Sequence, residues 1–294
     1  RDSAGRLQLL STFTDDFSAN LNIHFRDFRG PVLSNGNRNN LTQTRFKVPS
    51  AVDRDDQLDQ LGGSLTLKKE FASGINLTSV TAVEDFEREQ FGGDAVPYES
   101  TRTHSRFTVD QFSQEVRLTS SDDQQLTWIL GAYYFNCTLE SEAQTGVIPG
   151  SLNASGATKA ISYKVSNYES EAESYALFGN VSYQFTDKFK LAVGLRGTSD
   201  TSKVDLLARS ATSGFTFGNV EQWWVANNIQ GAFRTTAVQD DKKTWEAFTY
   251  DVTPGYDVTE NFRVYFRHAK GYNGGNFNAA AEQQNLVQVI EPEY

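Results

Sequence analysis

The chain has 294 residues and a formal net charge of −10, with 38% hydrophobic residues, 13% aromatics, one Cys and no Met. That charge lacks the basic footprint of a nucleic-acid-binding protein, and the single Cys137 excludes both an internal disulfide framework and a cysteine-based metal site. The longest apolar run, Trp128 to Phe135, is far short of the roughly 20 residues of a transmembrane helix, whereas a barrel strand of about 9–11 residues needs only alternate residues to be apolar.

Alternation between two faces predicts ten strands, at 6–14, 17–28, 57–70, 75–88, 106–120, 125–140, 169–185, 189–206, 242–256 and 262–272, with an eleventh starting near Val289. The first pair turns at Asp15-Asp16. Its second strand sends Phe17, Ala19, Leu21, Ile23 and Phe25 to one face, with Asn20, Asn22, His24 and Arg26 opposite. In the third strand Leu61, Gly63, Leu65 and Leu67 share a face. A turn at Phe71-Ala72-Ser73-Gly74 leads into Ile75-Asn76-Leu77-Thr78-Ser79-Val80, whose change of phase predicts a bulge. The fifth and sixth strands meet at Ser121-Asp122-Asp123-Gln124. The seventh and eighth form the clearest hairpin, around Thr186-Asp187-Lys188. Tyr175, Leu177, Gly179, Val181, Tyr183, Phe185, Phe189, Leu191, Val193 and Leu195 lie on one side, and Asn180, Ser182, Gln184, Lys190 and Arg196 on the other. Beyond a turn at Asp257-Val258-Thr259-Glu260-Asn261, Phe262, Val264 and Phe266 face away from Arg263, Tyr265 and Arg267.

Between these short turns lie long connections near 29–56, 89–105, 141–168, 207–241 and 273–288, so short and long strictly alternate. Connections of that length are usually functional, and outer-membrane barrels pair short periplasmic turns with long extracellular loops. Aromatics crowd the short turns: Phe13, Phe17, Phe71, Phe185, Phe189, Tyr256 and Phe262. A girdle at a lipid–water boundary accounts for that repetition. The expected fold class is all-β, an antiparallel up-and-down transmembrane β-barrel with about ten strands present. Backbone groups in hydrocarbon must all be paired, so these residues are expected to be about half of a larger barrel.

The wording of the strands carries a resemblance. Phe112-Ser113-Gln114-Glu115-Val116-Arg117-Leu118-Thr119-Ser120 followed by Leu126-Thr127-Trp128-Ile129-Leu130-Gly131-Ala132-Tyr133-Tyr134-Phe135 resembles the TonB-dependent outer-membrane receptors. So do Ala176-Leu177-Phe178-Gly179-Asn180 leading to Leu191-Ala192-Val193-Gly194-Leu195-Arg196, and Tyr265-Phe266-Arg267-His268-Ala269-Lys270-Gly271-Tyr272-Asn273-Gly274-Gly275-Asn276-Phe277-Asn278 with Pro292-Glu293-Tyr294. The wording is similar to a proteobacterial branch found in sphingomonads and their relatives. The resemblance implies a 22-stranded barrel around an N-terminal plug, in the bacterial outer membrane, with residues 1–294 as part of the barrel domain. The plug, its TonB-contacting segment and the C-terminal strands are missing from this sequence. It further implies uptake of a small nutrient ligand (siderophore, cobalamin, haem or carbohydrate class) driven by the TonB–ExbB–ExbD complex through the plug. Lipid and lipopolysaccharide are the implied surroundings; no cofactor, nucleic acid or bond-making chemistry is implied.

The residues offer few chemical sites beside it. His24, His104 and His268 lack metal-ligand spacing, and His24 reads as a wet lining residue or a ligand contact. No nucleophile elbow or phosphate-loop signature occurs. Asp53, Asp55, Asp56 and Asp59 lack calcium-loop spacing and read as a solvated acidic loop. Trp223-Trp224, in the longest connection, suits either stacking on a flat ligand or the small core of a folded loop. Tyr272 opens a Gly-rich loop, and Arg196, Lys190, Arg263 and Arg267 line the lumen and tune its charge. The candidate ligand-binding residues are therefore Trp223, Trp224, Tyr272, His24 and Arg196. Two rivals stay open: a passive porin-like channel, and a secreted β-rich glycoprotein with a binding or structural role. The rival glycoprotein draws on sequons at Asn40, Asn76, Asn136, Asn153 and Asn180, three of which fall in predicted strands.

Overall fold

A computed structural model of the chain describes residues 1–31, 55–93, 101–122, 124–147, 162–211, 234–278 and 288–294. The main sheet is antiparallel and its spatial order is its sequence order: β1 (Asp2–Thr14), β2 (Phe17–Gly30), β3 (Asp55–Glu70), β4 (Asn76–Gly93), β5 (Thr101–Thr119), β6 (Leu126–Val147), β7 (Ser162–Gln184), β8 (Phe189–Ala211), β9 (Arg234–Thr259) and β10 (Phe262–Tyr265). The short β11 (His268–Lys270) also pairs with β9, and β12 (Asn276–Asn278) pairs with β13 (Gln288–Ile290) in a separate small sheet. This is the expected all-β up-and-down architecture, and no helix occurs among the described residues.

The short turns fall where the sequence puts them. Between β3 and β4, Gly74 adopts φ 77°, and its N–H donates to the Phe71 carbonyl at 2.8 Å while Phe71 N–H reaches Ile75 O at 2.9 Å. Only glycine takes that backbone conformation without strain.

At the other end the strands outrun their expected limits. β6 continues to Val147, β7 starts at Ser162, β8 runs to Ala211 and β9 starts at Arg234. Side chains there put apolar and polar residues on both faces, with Tyr163, Val165, Tyr168 and Ala208 buried among polar neighbours, so the apolar-against-polar alternation fades, but the backbone donors and acceptors still need partners and keep the ladder. The bulge expected at Ile75–Val80 is absent: β4 keeps one register against β3 and β5 throughout. Val80 simply faces inward among polar neighbours, opposite Thr66 and Glu115. Register shifts fall instead at Thr12/Thr14, Ala208/Arg209 and Phe262/Arg263.

The predicted strand 262–272 is broken at Phe266–Arg267. Pro254 explains the gap. Its carbonyl accepts from Phe266 N–H at 3.1 Å, so the missing N–H of the same residue points to the same side. The ladder loses a donor at that place, and β10 and β11 pair with β9 on either side of it.

The two faces of the sheet differ in kind. Across β6 to β9 the ladder aligns Leu130, Gly179, Leu195 and Tyr250, with Trp128, Val181, Val193 and Val252 on the next such rung. No described layer covers these rungs: Leu130 is 56% exposed, Leu195 48% and Val181 47%, and Leu177 on the adjoining rung is 69% exposed. From Tyr175 to Phe185 the band is about 25 Å tall, taking ~3.3 Å per residue and a tilt of about 40°. That matches an outer-membrane apolar band.

Aromatics bound this band at both ends. At the turns, Phe13 stacks on Phe17 at 5.3 Å and Phe185 lies 5.5 Å from Phe189. The far end carries a second row that the sequence did not reveal. Phe112, Tyr134 and Tyr175 follow one another at 6.0 and 4.8 Å, and both tyrosine hydroxyls donate to Glu173 Oε1, at 3.2 and 2.9 Å. Immediately beyond, Asp85 faces Asp110 across β4 and β5.

Candidate ligand path on the polar face

The opposite face is lined with ions held in place by strand register. Arg88 makes a bidentate contact to Asp56 at 2.9 and 2.7 Å, Arg26 to Asp2 at 3.2 and 3.0 Å, and Arg263 to Asp257 at 2.5 and 2.8 Å. Arg267 pairs with Asp251. Asp56 and Asp59 thus both serve arginines, Asp59 meeting Arg29 at 2.7 Å on the outward face, beyond the apolar band. Charge neutralised in this way fixes side chains along a wide polar wall.

His24 sits at the centre of one such group. Its Nε2 lies 3.1 Å from Glu84 Oε1, and Gln60 Nε2 donates to the same oxygen at 2.5 Å. The three strands meet at a residue with no side chain, since His24, Gly62 and Glu84 occupy one rung. A Cβ on Gly62 would lie 1.8 Å from Glu84 Oε2 and 2.7 Å from His24 Cε1. Gly62→Ala is therefore expected to displace the Glu84 carboxylate and separate it from His24. The barrel should lose about 1 kcal/mol, the worth of a typical net hydrogen bond. The readout is the unfolding midpoint in denaturant at matched slope, and a midpoint equal to the wild type's would show that the pair was not broken.

Arg196 occupies a second group, on β8. Its guanidinium carbon is 5.8 Å from the Tyr133 ring centre and 5.7 Å from that of Phe178, and Nε donates to Thr198 Oγ1 at 3.0 Å. Phe178 lies over Gly131, where a Cβ would come within 2.3 Å of its ring. Two aromatic faces hold a cation over the wall, with no carboxylate bound to it among the described residues.

Tyr272 belongs to a third group, near the long-connection end. Residues 271–278 and 288–294 fold back onto the polar face of β8 and β9. Ser202 Oγ donates to Asn276 Oδ1 at 3.2 Å, and Trp245 Nε1 to Glu291 Oε2 at 3.1 Å. Lys243 pairs with Glu291. Phe277, 4% exposed, fills an apolar patch of Tyr168, Val204, Leu206 and Ala208. Tyr272 lies 5.7 Å from Tyr294, over which Lys270 Nζ sits at 4.4 Å. Burial and the neighbouring Asp200 carboxylate push the Tyr272 hydroxyl up to about 12.

The Lys243 ammonium and the Trp245 N–H hold the Glu291 carboxyl below the usual 4.5. A depressed carboxylate stabilises the fold above its unfolded pKa and loses that contribution as pH falls through the folded value. Acid is thus expected to loosen this segment before the main sheet. The check is Trp245 emission in detergent, which should shift to the red below pH ~4.5 while far-UV circular dichroism holds.

The structure therefore places His24 on β2 and Arg196 on β8, on one face but six strands apart, and does not bring them together. Tyr272 packs by Asp200, four residues along β8 from Arg196. Trp223 and Trp224 lie outside the described residues. Glu84, Asp200, Trp245 and Phe277 escaped the sequence reading. Glu84 had a signal in its alternation against Val83, whereas the other three become neighbours only through the β8–β9 register and the fold-back of β12.

With this geometry in hand, the comparisons are direct. Residues 3–293 match the family described as TonB dependent receptor-like, beta-barrel. The ferric yersiniabactin uptake receptor FyuA from Yersinia pestis superposes over 99% of this chain and 40% of its own, with a TM-score of 0.71 at 15% identity. The ferric citrate transporter FecA, in its unliganded form, superposes over 99% of this chain and 39% of its own, with a TM-score of 0.59 at 12% identity. The siderophore receptor PiuA from Acinetobacter baumannii does so over 94% and 42%, at 0.58 and 11%. The chain thus spans about two-fifths of the length of these solved proteins.

Proposed function

The chain belongs to the TonB-dependent receptor family, and from that premise we propose that it is part of an outer-membrane receptor for active uptake of a scarce nutrient. The cargo is of siderophore, cobalamin, haem or carbohydrate class, the energy comes from the TonB–ExbB–ExbD complex, and no bond of the cargo is made or broken. The observation that carries this reading is the pairing of a polar, ion-lined wall with a lipid-height apolar band bounded by aromatics at both ends. The named cargoes of FyuA, FecA and PiuA favour a ferric siderophore or ferric citrate among these classes. The long connections face the cell exterior, and Trp223, Trp224, Tyr272, His24 and Arg196 contact cargo on its way in. The placement in a sphingomonad-like branch rests on strand wording alone.

The test is uptake by the full-length receptor in cells lacking their own iron receptors. Ferric citrate, a ferric catecholate and cyanocobalamin serve as probes, with and without a functional TonB. Accumulation of at least one probe that stops without TonB is expected. Entry of all three at equal rates, regardless of TonB, would make this a passive pore and end the proposal. Arg196→Gln is expected to slow the accepted probe about tenfold, the worth of one hydrogen bond to a charged group.

A further inference from the structure

We propose that the membrane-facing side of β7 to β9 holds one phosphate-bearing anionic lipid, with an acyl chain in a groove and the phosphate on Lys203 and Lys242. An open groove of about 800 Å³ lies there, with Leu177, Tyr175 and Phe248 as walls and Gly197 in its floor. A Cβ built on Gly197 meets nothing within 4 Å, so the floor is open to an occupant.

Successive outward rungs of β8 and β9 then change in the order that a phospholipid changes. Gly197 pairs with Phe248, at the depth of the hydrocarbon. Ser199 pairs with Glu246 on the next outward rung. Thr201 pairs with Thr244, their hydroxyls 2.9 Å apart and placed to donate to ester carbonyls. Lys203 pairs with Lys242 one rung further out. From Gly197 to Lys203 is about 20 Å at ~3.3 Å per residue, which long lysine side chains shorten by reaching inward. At a tilt of about 40° that is about 15 Å across the membrane, from the upper acyl chain, one rung inside the Tyr175 row, to the phosphate.

Two like charges directly opposite on adjacent strands repel each other. Lys203 is relieved by Glu171 at 2.5 Å, whereas Lys242 meets no carboxylate in an ion pair among the described residues. A phosphate between the two ammoniums relieves both. Carboxylates surround the pair (Glu171 on the same rung, Glu173 and Glu246 on the membrane side, Glu169, Asp205 and Asp240 beyond), so the cationic spot is local and centres on Lys242. A second outward groove, of about 670 Å³ between Leu21, Gly63, Val83 and Phe112, is an internal contrast. Asp85 and Asp110 crown it, and they repel a phosphate.

The site rests on the outward face being in lipid, as the proposed function requires. The experiment is native mass spectrometry of the full-length receptor in detergent, given equal dipalmitoyl phosphatidylglycerol and phosphatidylcholine. The wild type is expected to retain the anionic lipid on the order of tenfold over the zwitterionic one. The Lys203→Gln, Lys242→Gln double variant should bring the two to parity, and Gly197→Phe should lower retention of both. Val83→Phe, in the other groove, should change neither. Equal retention by the wild type, an undiminished preference in the double variant, or equal losses from Gly197→Phe and Val83→Phe would each overturn the proposal. Heat-modifiable migration of every variant on gels reports the barrel separately. Its absence from the wild type would strike the membrane reading rather than the lipid site.

Discussion

Val193→Arg is expected to cost the barrel on the order of 2–4 kcal/mol, and Asn180→Arg much less. The two residues are neighbours on the β7–β8 hairpin and differ in the face they present. Val193 lies opposite Val181 on one strand and Val252 on the other, midway along the apolar band. An arginine there places its charge near the hydrocarbon midplane, too far from either interface for its side chain to reach water easily. Asn180 pairs with Gly194 on the opposite face. A Cβ on Gly194 would already come within 3.1 Å of Asn180 Nδ2, so an arginine at 180 has to turn away from that strand, into the polar interior. The measurement is denaturant unfolding from phospholipid vesicles, comparing midpoints at matched slopes. Equal losses at the two positions would mean that hydrocarbon does not solvate the Val193 side, and the membrane assignment would fall with it.

Alternation made the faces legible because it records burial in two different solvents. The Phe17 to Phe25 and Tyr175 to Phe185 rows read as they stand. Short turns were legible through their own chemistry, as at Gly74. Strand ends on the long-connection side were not, because Glu140 to Val147 and Tyr163 to Glu169 pair through their backbones while their side chains carry no period. Val80 looked like a phase error because its inward position breaks the polar rule without breaking the ladder. The gap opposite Pro254 needed knowledge of which neighbour the missing N–H would have served. The second aromatic row was hidden for a related reason. Phe112, Tyr134 and Tyr175 lie mid-strand, and only the slanted register of β5 to β7 brings them level. Of the candidate site, the placement of His24 and Arg196 on the polar face was legible from phase alone. Their aromatic and carboxylate partners, and the packing of Tyr272 by Asp200, depend on contacts between residues far apart in sequence.

Phe277→Ala is expected to release the segment around β12 and β13 while leaving the main sheet intact. The ring is 4% exposed and fills the patch of Tyr168, Val204, Leu206 and Ala208. Truncating a buried Phe costs about 3–5 kcal/mol. Among the described residues the segment's other ties to the main sheet include the Ser202–Asn276 and Trp245–Glu291 hydrogen bonds and the Lys243–Glu291 pair, while the Asn273–Glu293 bridge joins the segment's own two arms. Losing the ring removes the segment's buried apolar anchor and leaves it held to the main sheet by polar contacts. Such a unit opens on its own while the rest of the fold persists. Gly275→Val offers an independent route to the same end, because a Cβ there would lie 2.5 Å from the Trp245 ring and 2.9 Å from the Ile290 carbonyl. Hydrogen exchange separates the possibilities. The Asn273 and Glu293 amides, bonded to each other's carbonyls at 2.9 and 3.1 Å, should exchange far faster in both variants, and the β7–β8 ladder should exchange as in the wild type. Unchanged Asn273 and Glu293 amides together with a weakened main sheet would show that Phe277 is part of the sheet's own core.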